Sequence, residues 1–169
     1  NQKRNLVNLK KLDISDNNLF ELPKEIGNLI NLKVFSCTEM YNNITIPKEV
    51  GNLVNLKILD FSCTWITTLP KEIGNLLNLE SLNLWDTEIQ ELPEEICELT
   101  NLKFLSLEGM HYLTITQKQK EWILKLRKNG CDIVITDDIL NRTVAQGYKG
   151  DLNANLVDNN WMEKLWEWS

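Results

Sequence analysis

The residues able to do chemistry are few and scattered. His111 is the only histidine, and it lies between Met110 and Tyr112 with no nucleophile placed beside it by any pattern. A general base needs a proton donor within hydrogen-bond reach, so His111 reads as structural or exposed rather than catalytic. Cys37, Cys63, Cys97 and Cys131 contain no CxxC pair, which makes a structural zinc site a poor fit. Cys37 falls at an expected core position and should be inert, and nothing near Cys63 points to a lowered pKa. Asp151-x-Asn153-x-Asn155 resembles the opening of a calcium loop, but Leu156 stands where glycine is required and Met162 where a bidentate glutamate belongs. The residues point to no cofactor, no metal and no enzymatic activity. What remains is binding.

Composition narrows the kind of binding. The 169-residue chain carries a net charge of −6 and is 43% hydrophobic. An acidic surface of this kind disfavours nucleic acid and anionic membranes. No run approaches the roughly 20 apolar residues needed to span a bilayer. The chain starts at Asn1 rather than methionine, so its start is a processed end or a boundary within something longer, and export is not legible from it.

The elements that must position any binding residues are set by a repeat. All four prolines share one phase, in Leu22-Pro23, Ile46-Pro47, Leu69-Pro70 and Leu92-Pro93. Each precedes a similar segment: KEIGNL, KEVGNL, KEIGNL and the divergent EEICEL. Units opening at Leu9, Leu32, Leu56, Leu79 and Leu102 give periods of 23, 24, 23 and 23. In every unit an LxxLxL triplet follows, and all fifteen of its positions are apolar. Chance would achieve that about three times in a million at this composition, so the repeat is real.

The last two apolar residues of each triplet are two apart, which suits a short strand pointing them into a core. Proline suits the first position of a short helical turn, and Leu22, Ile26 and Leu29 follow at spacings that bury one face. One unit cannot hide its own apolar face; stacked units share a continuous core.

Residues 6 to 108 resemble the leucine-rich-repeat family, in its 23-residue LPxEIGNLxNLxxLxL type found in bacterial surface and effector proteins and in Ras-associated repeat proteins. The resemblance implies an α/β solenoid: a right-handed arc with a parallel sheet on its concave face and short helical turns on its convex face. It also implies a non-catalytic protein–protein interaction module, in a family type with many surface and secreted members. Alternatives are a substrate-recognition fragment of a larger ligase or kinase, or an adhesin for host glycans. One departure stands out. The family's asparagine past the strand survives only as Asn17, with Met40, Thr64, Thr87 and Met110 in its place, so that ladder is expected to be mostly lost. The longer second unit, containing Tyr41-Asn42-Asn43, is expected to bulge.

Three parts are expected: repeats over 1–110, a helix–strand cap over 111–136 and a non-repeat extension over 137–169. Thr116 and Gln119 form a capping-box signature, QKQKEWILKLRKN reads as a helix ended by Gly130, and residues 131–135 read as a last strand. Beyond it, residues 136–160 read as a polar loop. In the final segment Trp161, Leu165 and Trp168 fall at helical spacing; they either fold back on the solenoid or form a partner-binding or dimerising segment. The first strand presents a bare edge, which invites self-association or implies preceding repeats.

Outward strand positions form three rows on the concave face: Lys11, Val34, Ile58, Ser81 and Phe104; then Asp13, Ser36, Asp60, Asn83 and Ser106; then Ser15, Thr38, Ser62, Trp85 and Glu108. Val34, Ile58, Trp85 and Phe104 are apolar where solvent is expected, and such anchors are enriched in interfaces. Asp13, Asp60 and Glu108 suit a protein partner with a basic surface. These seven residues are the expected partner-binding site.

Overall fold

The computed structural model describes residues 6–141. Six three-residue strands form one parallel sheet in sequence order: β1 (Lys11–Asp13), β2 (Val34–Ser36), β3 (Ile58–Asp60), β4 (Ser81–Asn83), β5 (Phe104–Ser106) and β6 (Asp132–Val134). Register follows the repeat, pairing Lys11 with Val34, Val34 with Ile58, Ile58 with Ser81, Ser81 with Phe104 and Phe104 with Asp132. The 24-residue unit is absorbed without disturbing this register. Its extra residue falls after Met40, which pairs with Thr64, and before Thr45, which pairs with Glu21.

Opposite the sheet, each KEIGN-type segment is a 3-10 turn: Lys24–Asn28, Lys48–Asn52, Lys71–Asn75 and Glu94–Glu98. Proline sits one residue earlier than expected, at the N-cap, where its extended backbone (φ −66° at Pro23) turns the chain and its carbonyl accepts from the Ile26 N–H. Ile26, Val50, Ile73 and Ile96 are buried beneath these turns. The turns stack tightly. A Cβ on Gly27, Gly51 or Gly74 would meet the backbone oxygen of Glu49, Glu72 or Glu95 at 2.7, 2.5 or 2.4 Å. Glycine is therefore required in KEIGNL by the turn of the next unit. Cys97 replaces it in the last turn, where the next neighbour is a helix instead.

That helix, α1 (Gln117–Lys128), begins with the capping box: Thr116 Oγ1 accepts from the Gln119 N–H, and Gln119 Oε1 accepts from the Thr116 N–H. Two side chains fasten it to the last 3-10 turn. Gln119, 1% exposed, donates to the Leu92 carbonyl at 2.8 Å, and Trp122 Nε1 donates to the Leu99 carbonyl at 3.2 Å. Gly130 ends the helix at φ +89°, and β6 then extends the sheet as the cap strand expected over 131–135.

One expectation is corrected beyond it. Residues 137–141 are not loop but a second short helix, α2 (Asp137–Asn141), because Ile139 and Leu140 are buried. The calcium-loop-like motif and the Trp-rich segment lie outside the described residues.

The triplet residues form the core. Leu32, Phe35, Leu56, Leu59, Phe61, Leu79, Leu82 and Leu84 are each 0% exposed, and Phe35 meets Phe61 edge-on at 5.8 Å. In the first unit Leu9, Leu12 and Ile14 are only partly buried, since no described unit stacks on β1.

Candidate functional site

Three of the strands, β1, β3 and β4, end in the same device. The residue at the third strand position turns its side-chain oxygen back to the backbone N–H two residues on: Asp13 to Ser15 at 2.9 Å, Asp60 to Ser62 at 2.9 Å and Asn83 to Trp85 at 3.1 Å. This is an Asx-turn, which Asp and Asn make with their own backbone. One residue past that N–H the chain enters the left-handed region, at Asp16, Glu39, Cys63, Asp86 and Gly109, with φ between 53° and 74°. Short polar residues and glycine tolerate that conformation best, so the acidic character of this row is partly a backbone requirement.

These turns revise the middle row. Asp60 is buried, and so are Ser62, Ser81, Asn83 and Ser106. Short side chains set between bulkier ones, on strands about 4.8 Å apart, have little access to water. Asp60 was expected as a solvent-facing carboxylate. It is instead a buried one, accepting from both the Ser62 N–H and the Ser62 hydroxyl. Burial pushes its pKa above the ordinary 3.8, opposed chiefly by the two hydrogen bonds from Ser62. Asp13 remains exposed and Glu108 is half-buried. Val34, Ile58, Trp85 and Phe104 are all half-buried, so they line the face rather than project from it. Register aligns Val34, Ile58 and Phe104 in one row with Ser81 between the last two, and Trp85 follows the end of β4.

The cysteines are set against reactivity. Burial pushes Cys37 up to about 12 and, with Asp86 and Glu39 adding negative charge, pushes Cys63 up to about 11. A thiolate is the nucleophile, so these thiols are poor ones at neutral pH. Among the described residues no three His, Cys, Asp or Glu side chains are grouped to hold a metal ion, and no helix is long and apolar enough to cross a membrane.

Sequence reading missed two features. The Asn-Leu pairs supply a second asparagine ladder: Nδ2 of Asn31, Asn55, Asn78 and Asn101 donates to the carbonyls of Val7, Ile30, Val54 and Leu77, at 2.7 to 2.8 Å. The spacing alone could have shown it, since each asparagine recurs in phase one unit on. The other feature is a pair of exposed aromatics, Tyr41 and Trp65, on the loops leaving β2 and β3. The repeat pattern does not mark them, because the equivalent positions in the other units hold Asn18, Glu88 and His111.

The chain belongs to the leucine-rich-repeat family: one model, described as leucine-rich repeat region, matches residues 36–118, and another, leucine rich repeat, matches residues 8–29. Among solved structures, a Leptospira interrogans leucine-rich-repeat protein is 35% identical with a TM-score of 0.52, covering 76% of this chain and 38% of its own. An internalin from Listeria monocytogenes is 27% identical with a TM-score of 0.57, covering 76% of this chain and 35% of its own. A TDR receptor is 26% identical with a TM-score of 0.58, covering 68% of this chain and 20% of its own. This chain thus spans well under half the length of each. A search of curated proteins found no match. Repeat domains of this family typically mediate protein–protein interaction.

Proposed function

We propose that this chain is a non-catalytic module that binds a partner protein on its concave sheet face. The observation that carries this is the row of Val34, Ile58 and Phe104, held in strict register on parallel strands, with Trp85 beside it. Apolar and aromatic side chains at positions open to a rigid face suit a partner's apolar anchor, and a preformed surface loses little conformational freedom on binding. Asp13 on β1 and Glu108 just past β5 steer a basic partner surface. Asp60 contributes differently from its neighbours: it fixes the turn that presents Ser62 and Cys63. The raised thiol pKa values support a role without nucleophilic chemistry.

The test is affinity capture with the wild type beside Trp85→Ala/Phe104→Ala, both verified as folded by circular dichroism. A protein captured by the wild type and lost by the double variant supports the concave face. Equal capture by both removes the site from that face.

A further inference from the structure

Tyr41 and Trp65 occupy the same position in successive units, one residue past the Met40–Thr64 bridge. The corresponding residues in the other units are Asn18, Glu88 and His111, so aromatic character is confined to two adjacent units. Both side chains are exposed, at 61% and 51%, and they meet edge-to-face with ring centroids 6.2 Å apart. Their backbone is fixed. The Trp65 N–H donates to the Met40 carbonyl at 3.2 Å, the Met40 N–H donates to the Cys63 carbonyl at 3.1 Å, and Met40 and Thr64 are buried. The pair is therefore presented on a rigid support, and two large apolar rings are held together in water.

The charges around it have one sign. The Thr64–Thr87 bridge places Glu88 in the row beside Trp65, and Glu39 and Asp86 flank Cys63 two residues behind the rings. Their proximity is visible in the Cys63 thiol: burial is the main cause of its rise to about 11, and Asp86 and Glu39 add to it. All three carboxylates are exposed, and none makes an ion pair among the described residues. An aromatic pair with carboxylates beside and behind it complements a planar cation with apolar character. A guanidinium stacks on tryptophan while its N–H groups reach carboxylates, which an ammonium does less well.

We propose that Tyr41 and Trp65, with Glu39, Asp86 and Glu88, form a docking site for arginine side chains in an extended segment of a partner protein. The site lies on the rim where the strands end, distinct from the concave row, and its existence does not depend on that row binding anything.

The test uses a fluorescein-labelled hexa-arginine peptide and its hexa-citrulline counterpart, which keeps the shape and removes the charge, followed by fluorescence anisotropy at about 50 mM salt. The wild type should bind the arginine peptide and not the citrulline one. Tyr41→Ala/Trp65→Ala should weaken binding roughly tenfold although every carboxylate is kept. Trp65→Phe, which retains a ring, should stay within about threefold of wild type, and Trp85→Ala/Phe104→Ala should bind as the wild type does. Absence of wild-type binding, equal binding of the citrulline peptide, or undiminished binding by the double alanine variant would each overturn the proposal. Loss through Trp85→Ala/Phe104→Ala alone would also overturn it and place the peptide on the concave face.

Discussion

Asparagine and aspartate hold this solenoid together in ways that depend on position within the unit. Where the family's strand-end asparagine has given way, Thr64 and Thr87 send their hydroxyls to the Phe61 and Leu84 carbonyls, and Met40 and Met110 fill the slot with buried apolar volume. The ladder is replaced in part rather than simply lost. The asparagines of the Asn-Leu pairs then carry the inter-unit bonding on the turn side. Replacing Asn78 with alanine should cost about 1 kcal/mol, read by denaturant titration, because the Val54 carbonyl loses its partner. Asp60 makes a pH prediction. Its pKa is raised on folding, so its contribution is fully present below about 3.8 and is lost as pH rises through the folded value. Asp60→Asn keeps the acceptor for Ser62, as Asn83 does for Trp85, and should remove that loss. Stability of the variant measured across pH 3 to 7 should therefore be flatter than that of the wild type. Glu80 behaves in the opposite sense. Hydrogen bonds from Lys103, 2.6 Å away, and from Lys57 lower its pKa, so its stabilisation is present above about 4.5 and is lost as pH falls. Because Glu80 is partly exposed, its share is small. At this scale the sequence was half legible. Apolar positions follow from periodicity, but whether an aspartate faces water or caps a turn depends on neighbours from other units, as Asp60 shows.

The 3-10 turn is the element whose sequence is most tightly dictated. Gly51 is fixed by the Glu72 backbone oxygen, which a Cβ would approach to 2.5 Å. Gly51→Ala should destabilise the protein by about 1–3 kcal/mol by thermal or denaturant unfolding, since backbone must move to relieve the overlap. Cys97→Ala, at the equivalent position facing α1, should cost less than about 1 kcal/mol. If both substitutions are equally tolerated, close stacking of the turns is not what selects glycine. The cap helix was fully legible, because a capping box, an amphipathic face and a terminal glycine are local signals. Its fastening to the repeats through Gln119 and Trp122 was not, since those bonds go to carbonyls 27 and 23 residues away. Helix α2 escaped for the related reason that five residues are too few to show a period.

For the molecule as a whole, the two ends of the sheet differ. β6 is followed by α2 and faced by α1, and truncating the cap's anchor with Trp122→Ala should cost about 3–5 kcal/mol. That loss should spread inward from the last units, because each repeat is stabilised only by its neighbours; hydrogen exchange would show it first in β5 and β6. β1 keeps Leu9, Leu12 and Ile14 partly exposed, the apolar surface that a further unit or another chain would cover. Between the ends, the repeat makes the architecture legible from sequence with little ambiguity. The proposed binding residues are less legible, because they are ones that vary between units: Trp85 and Phe104 on the sheet, Tyr41 and Trp65 on the rim. The most direct test of the central claim is site-specific photocrosslinking, with a benzophenone amino acid placed at Phe104 on the concave face or at Leu77, an exposed position on the opposite side. The concave-face account requires that the captured partner crosslink from position 104 and not from 77. Crosslinking from 77 alone, or equally from both, would contradict it.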